Sequence, residues 1–395
     1  MKALFASLLF AGALVAQQPN TLTQSEIEDG WILLWDGQSE TGWEWHGEAN
    51  WSFRDGVIKG VDGGYGWLGT TTTFGDFHLK LEFKTAADGN SGVFLRSARE
   101  GLPHQTGYEL QIYDAQPQGF NTGSLVFYEK AEPAKLIPDR WNTYDILCEG
   151  SHFQIVLNGK LVFDGYNATH AAGVIGLQFN PNKPIEFRNL KLRPLGLAPL
   201  LSNGLDGWKE IDRPGRVGND VWTVRDGVIH VEGGAGQIET EKQFKNLALQ
   251  LGIKTNPPSA DAHPNSGVFI RGYPNQFWSG YEIQIRNEFF GGDPTRPVDI
   301  GTGGVYFWQP TRRVIPKDGE WFYETIIAYD RHISVWVNGI QTADYEDTKP
   351  EGPIARKQAN LRSGTISLQA HDPTTNLDFK DLRATEIAAR PMRLQ

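Results

Sequence analysis

An all-β chain made of two tandem, two-sheet antiparallel sandwiches of jelly-roll type is predicted by three observations. The first is a long internal repeat. Asn90-Ser91-Gly92-Val93-Phe94-Leu95-Arg96 returns as Asn265-Ser266-Gly267-Val268-Phe269-Ile270-Arg271, and Gly107-Tyr108-Glu109-Leu110-Gln111-Ile112 returns as Gly280-Tyr281-Glu282-Ile283-Gln284-Ile285. Solenoid units run about 20–50 residues, so a repeat this long is a duplicated domain. The second is the number of short apolar runs separated by Gly, Asp and Asn clusters, with few helix signals. The third is that hairpin turns recur at matching places in both halves.

Taken in chain order, Lys2 followed by the apolar run Ala3–Ala16 predicts a cleavable signal peptide over 1–16, too short to span a membrane. No cysteine follows it to carry a lipid, so a periplasmic or secreted location is expected. Thr23-Gln24-Ser25-Glu26 reads as a capping box opening one helical turn. Trp51–Phe53 and Val57-Ile58 flank Asp55-Gly56, a type I′ hairpin signature, and Trp222–Val224, Asp226-Gly227 and Val228-Ile229 repeat it. Asn158-Gly159 and Asn338-Gly339 form a second matched pair. The motifs place the domains at 27–195 and 199–387. The connection Pro194–Pro199 is short and stiff, so the two should pack together. Three insertions mark the second copy: Pro257–Pro264, Phe289–Pro297 and Lys349–Arg362.

Composition narrows the function classes. The 395 residues suffice for two cores, and the formal net charge of −10 argues against nucleic acid or an anionic membrane surface as partner. Thirteen tryptophans in a β protein suit flat amphipathic ligands such as sugars, although most such rings are core. The single cysteine, Cys148, sits in an alternating apolar stretch and reads as a buried structural thiol. The sequence shows no zinc or calcium motif, phosphate loop or nucleophile elbow. No cofactor is identified, and the fold analogy leaves one divalent cation open.

Leu33-Leu34-Trp35-Asp36-Gly37, Gly42-Trp43, Arg54–Ile58, the two repeated segments above, Trp141–Tyr144 and Gly176-Leu177-Gln178 resemble the 3-keto-disaccharide hydrolase domain family. The second copy keeps the pattern, including Gly301–Tyr306 and Gly319-Glu320-Trp321. The resemblance implies concanavalin A-like jelly rolls and action on glycosides oxidised at C3, by hydrolysis or by a 1,2-lyase or hydratase route. An oligosaccharide or glycoside is then the expected partner.

Period-two alternation puts Tyr108, Leu110 and Ile112 on the core face, and Glu109 and Gln111 on the open one. Glu282 and Gln284 repeat the open face. An acid beside an amide matches sugar hydroxyls, which donate and accept. Arg96 and Arg271 close the preceding strands. They are open to two roles, a structural ion pair or a clamp polarising a ketone. A 3-keto sugar needs only one base, since the ketone acidifies the C2 proton and the C1 substituent is β to it. Glu109 or Glu282 is the candidate general acid/base, with Arg96 or Arg271 on the ketone. His371 follows Gln369 in a Gly-x-x-x-Leu-Gln-x-His stretch that resembles the family's, and only the second copy carries it. Asp114 is kept only in the first, where Asn287 is the counterpart. Gln284, Gln111, Asp114 and Gln369 are the candidate substrate ligands. The second copy is favoured because it keeps Arg271, Glu282, Gln284 and His371 together. A lectin-like, non-catalytic carbohydrate-binding protein is the alternative, and an interaction scaffold the third reading.

Overall fold

A computed structural model of the protein describes residues 18–213, 219–259, 261–352, 354 and 357–389. The expected signal peptide lies outside the described residues. The capping box forms: the Thr23 side chain accepts from Glu26 N, and Glu26 returns the bond to the Thr23 backbone, starting the helix Gln24–Glu28. All four predicted hairpin turns have both central residues at positive φ, including Asp55 at 54° and Gly56 at 72°. That geometry matches the twist of the strands it joins.

Each half is a pair of antiparallel sheets around a core. The front sheet of the first half runs Tyr108–Ile112, Ser91–Ser97, Val174–Phe179, then the arm Val57–Thr70 paired with Trp43–Arg54. The back sheet runs from the same arm through Ile185–Pro194, Phe77–Thr85, Asn142–Glu149, His152–Leu157 and Lys160–Tyr166. The arm is long enough to serve both sheets. Ile58–Gly60 pair with Ile185–Phe187 at the back, and Gly66–Gly69 pair with Gly176–Phe179 at the front. The two faces therefore join as one curled sheet of eleven strands. In the second half the arm is broken into Val221–Arg225/Val228–Glu232, which joins the back, and Trp208–Asp212/Gly236–Thr240, which joins the front. Two separate sheets of eight and five strands result.

The core follows from parity. Phe77–Thr85 alternates buried and half-buried along its whole length, so Phe77, Leu79, Leu81 and Phe83 face Val93, Leu95, Leu110 and Ile112 of the front sheet. Full burial of each such side chain contributes about 2 kcal/mol. Cys148 lies in this core, and burial pushes its thiol up to about 12. It is inert and structural.

The halves are packed against each other, as the short connection requires. Ile326 faces its own core while its neighbour Ile327 joins the core cluster of the first half, together with Ala248, Trp336 and Ile387. Trp336 Nε1 donates to Leu33 O at 3.1 Å, and Gln250 Nε2 to Gly30 O at 2.7 Å. The connection itself is stitched to both sides: Leu195 N donates to Asp76 O, and Ala198-Pro199 pairs with Arg383-Ala384.

Candidate functional site

The Asn-Ser-Gly-Val segment is built around the acid on the next strand. Ser91 Oγ donates to Gln178 O at 2.7 Å, tying two front strands together, and Ser266 does the same to Gln369 O at 2.6 Å. Gly92 leaves room for Glu109, because a Cβ there would lie 3.2 Å from Glu109 Cγ. At Gly267 the same distance to Glu282 is 2.9 Å, tight enough to force a shift. Tyr108, Leu110 and Ile112 fall in the core as alternation predicts, and Glu109 and Gln111 face outward.

In the first half these outward residues meet in an open recess of about 340 Å³. Glu109, Gln111 and Gln178 stand on its floor, with Asn180, His104 and Tyr65 around them. Gln178 Nε2 donates to Glu109 Oε1 at 3.0 Å, and Asn180 Nδ2 donates to Gln178 Oε1 at 3.0 Å. Glu109 is only 8% exposed. Burial pushes its carboxyl up to about 7, against a smaller opposing pull from the Gln178 amide. A carboxyl poised there can take a proton and give it back near neutral pH. Beside the polar floor, Trp67 and Phe94 meet edge to face at 5.9 Å, and His46 stacks on Trp67 at 4.0 Å. Desolvation lowers the His46 pKa and favours the neutral ring.

The second half has the same floor strands with different cover. Strand register sets Gln237 where the first half has Trp67, and Glu239 where it has Gly69. These two side chains anchor the loop Tyr273–Ser279: Asn275 N donates to Glu239 Oε1 at 2.8 Å and Trp278 N to Gln237 Oε1 at 2.7 Å. Trp278 then stacks on His371 at 5.2 Å with the rings nearly parallel. His371 Nδ1 meets Asp372 at 2.7 Å and, through Asn265, reaches Gln284: Gln284 Nε2 donates to Asn265 Oδ1 at 2.6 Å. Gln369 is 1% exposed, and neither of its amide atoms has a partner among the described residues, whereas its counterpart Gln178 bonds the acid. Glu282 is 7% exposed. The open recess holding a hydrogen-bonded acid and amide is in the first half, and a tryptophan-bearing loop covers the histidine of the second.

Two further expectations are corrected. Arg96 and Arg271, offered above as clamps on a ketone, are both buried, and Arg96 does not line the recess. Arg96 is fully buried, with its guanidinium donating to Gly75 O, Gly150 O, His170 O and Asp76. Its side chain lies over Phe77 and Phe153 at the end of the core. Arg271 is 1% exposed and donates to Lys245 O, Asp330 O and Asn360 O. The cause is local: both have φ of 53°, and the strand register shifts there, which breaks the alternation that assigns faces. Each arginine ties loops to its sandwich. Asp114 is likewise structural, accepting from Thr122 Oγ1 and Leu136 N. Asn287 takes the same bond from Thr302 and borrows its carboxylate from Asp318.

Among residues that sequence reasoning missed, Gln178, Asn180, Tyr65 and His104 line the recess. Gln178 was legible as the first-copy counterpart of Gln369. Tyr65 comes from the arm and His104 from the short helix Pro103–Thr106, and neither carries a local signal. Among the described residues no group of three or more His, Cys, Asp or Glu side chains is placed to hold a metal ion. No described helix is long and apolar enough to cross a membrane.

Comparison with known proteins gives consistent results. The family model described as a 3-keto-alpha-glucoside-1,2-lyase-like domain matches twice, over residues 30–193 and 198–385. A 3-keto-disaccharide hydrolase of Bacteroides thetaiotaomicron is 31% identical over 123 residues, which cover 28% of this chain and 42% of that protein. The match thus spans less than half the length of this curated relative. Among solved structures, a protein provisionally described as a glycosyl hydrolase from Parabacteroides distasonis is 25% identical. It covers 45% of this chain and all of its own, with a TM-score of 0.41. The carbohydrate binding module CBM66 from Bacillus subtilis is 17% identical, covering 39% of this chain and 96% of its own, with a TM-score of 0.32.

Proposed function

Because the chain belongs to the 3-keto-alpha-glucoside-1,2-lyase-like family through both of its halves, we propose that it cleaves the C1–O bond of 3-keto-glycosides after export, using the first-half recess. The observation that carries the reading is Glu109: a nearly buried carboxyl held near 7, bonded to Gln178, at the floor of an open recess. Its ionised form removes the proton from C2 of the sugar, and the C2–H electrons form an enolate on O3. Collapse of the enolate makes a C1–C2 double bond and expels the aglycone oxygen, which takes the proton back from Glu109. Water then adds, hydroxyl to C1 and proton to C2, so the net change is hydrolysis. With Arg96 removed from this role, the Tyr65 hydroxyl beside Gln178 is the donor offered to O3.

A substrate deuterated at C2 tests the route. Elimination predicts slower aglycone release than from the protium form. Equal rates with the C2 deuterium fully retained in the released sugar mean direct displacement at C1. Saturable binding without release supports the lectin alternative, for which both front sheets supply polar and aromatic side chains.

A further inference from the structure

One aromatic residue beside the recess is explained by neither backbone preference nor core packing. Phe127 has φ of 66°, a left-handed conformation that is a genuine outlier for a bulky side chain. It is 62% exposed, so the ring gains little from burial in return. The turn that presents it is fixed to the acid-bearing strand: Val126 N donates to Glu109 O at 2.9 Å, and Tyr128 N and Glu129 N both close on Leu125 O. Phe127 therefore keeps a set position relative to Glu109, and Val126 and Phe127 form an apolar wall of the recess. Phe120 meets Phe127 edge to face at 6.0 Å, and Lys130 Nζ lies 5.4 Å above the Phe120 ring. The device is duplicated, since Phe307 has φ of 71° and Tyr306 N donates to Glu282 O at 2.8 Å. There Phe307 is 53% exposed and meets its neighbours Tyr306 and Trp308, but it stands in the half whose floor carries the anchored loop Tyr273–Ser279.

We propose that Phe127, backed by Phe120, is an aglycone subsite that selects glycosides of planar aromatic alcohols. A sugar ring seated over Glu109 and Gln178 directs its C1 substituent out of the recess, where the apolar wall ends in an exposed, rigidly held ring. A flat aromatic group is the chemistry that matches such a platform, by stacking and by burying the ring's exposed area. Lys130 adds a cation suited to a phenolic or phenolate oxygen. This inference rests on the proposed glycoside cleavage for its choice of substrate, but ring binding can be read without turnover.

The test compares phenyl and methyl 3-keto-glucosides with wild type, Phe127→Ala, Phe127→Gly and Phe307→Ala, and titrates each protein with 2-naphthol by calorimetry. The glycine variant accepts the positive φ without strain, so a folded comparator is assured. The ratio of kcat/KM for the phenyl over the methyl substrate should fall about tenfold in both Phe127 variants, with a similar rise in the naphthol Kd. Phe307→Ala should leave both at wild-type values. Unchanged ratio and Kd in the Phe127 variants, or an equal loss in Phe307→Ala, would overturn the proposal. If the wild type turns over neither substrate, the cleavage reading fails, while the naphthol titration still decides the subsite.

Discussion

Glu109→Gln should stabilise the protein, and the gain should depend on pH in a way that can be worked out beforehand. Glu109 is 8% exposed, and burial pushes its carboxyl up to about 7 in the folded protein, against an ordinary value of 4.5. At about 1.36 kcal/mol per unit, that difference corresponds to roughly 3 kcal/mol. The sign follows from proton binding. Between 4.5 and 7 the unfolded chain has released this proton and the folded one retains it, so folding stability falls as pH rises through this window. The deficit is absent below 4.5 and complete above 7. Glutamine keeps an oxygen to accept from Gln178 and has no proton to lose. Urea unfolding followed by tryptophan fluorescence at intervals from pH 4 to 8 measures both proteins. The variant's advantage should be small at pH 4, grow by no more than about 1.4 kcal/mol per pH unit, and level off above 7 at roughly 3 kcal/mol. A difference that stays flat across the range would refute the claim that burial holds this carboxyl protonated.

Three other outcomes follow from the geometry. Glu324 is 1% exposed in the second core, with neither oxygen partnered among the described residues, and burial raises its pKa well above the usual range. Its first-half counterpart, Tyr144, donates to Gln111 O at 2.7 Å. Glu324→Leu should therefore raise stability by about 1–3 kcal/mol at neutral pH, read by urea unfolding, and a loss would show that the carboxyl has a structural role. Arg96→Met should cost about 3–5 kcal/mol by stranding the carbonyls and Asp76 that it satisfies, measured the same way; normal stability with lost turnover would return Arg96 to the site. Asp114→Asn should cost about 1 kcal/mol or less and leave kcat intact, because Asn287 already holds the equivalent turn; a collapse of kcat at unchanged stability would make Asp114 a substrate ligand.

What could be read from sequence was whatever local periodicity controls. The faces of Tyr108–Ile112 and the four hairpins depend on alternation and turn chemistry within a few residues, and both hold in the structure. Arg96 shows where this fails. A single left-handed residue at a bulge shifts the register, and the side chain that alternation would set opposite Leu95 turns to the core. The cover over the second-half floor was illegible for another reason. It depends on Gln237 and Glu239 accepting from backbone amides more than 35 residues away, a pairing that no local pattern encodes. The same long-range assembly surrounds Glu109, whose recess is lined by Tyr65 and Gln178 from strands distant in sequence, and burial raises its pKa.

The most direct measurement is aglycone release from one 3-keto-glucoside by wild type, Glu109→Gln and Glu282→Gln at equal folded concentration. The account predicts that Glu109→Gln loses turnover by about a hundredfold or more, the usual scale for removing a general acid/base, while Glu282→Gln retains most of it. Loss confined to Glu282→Gln would move the working site to the second half. Full activity in both variants would contradict the assignment of either glutamate.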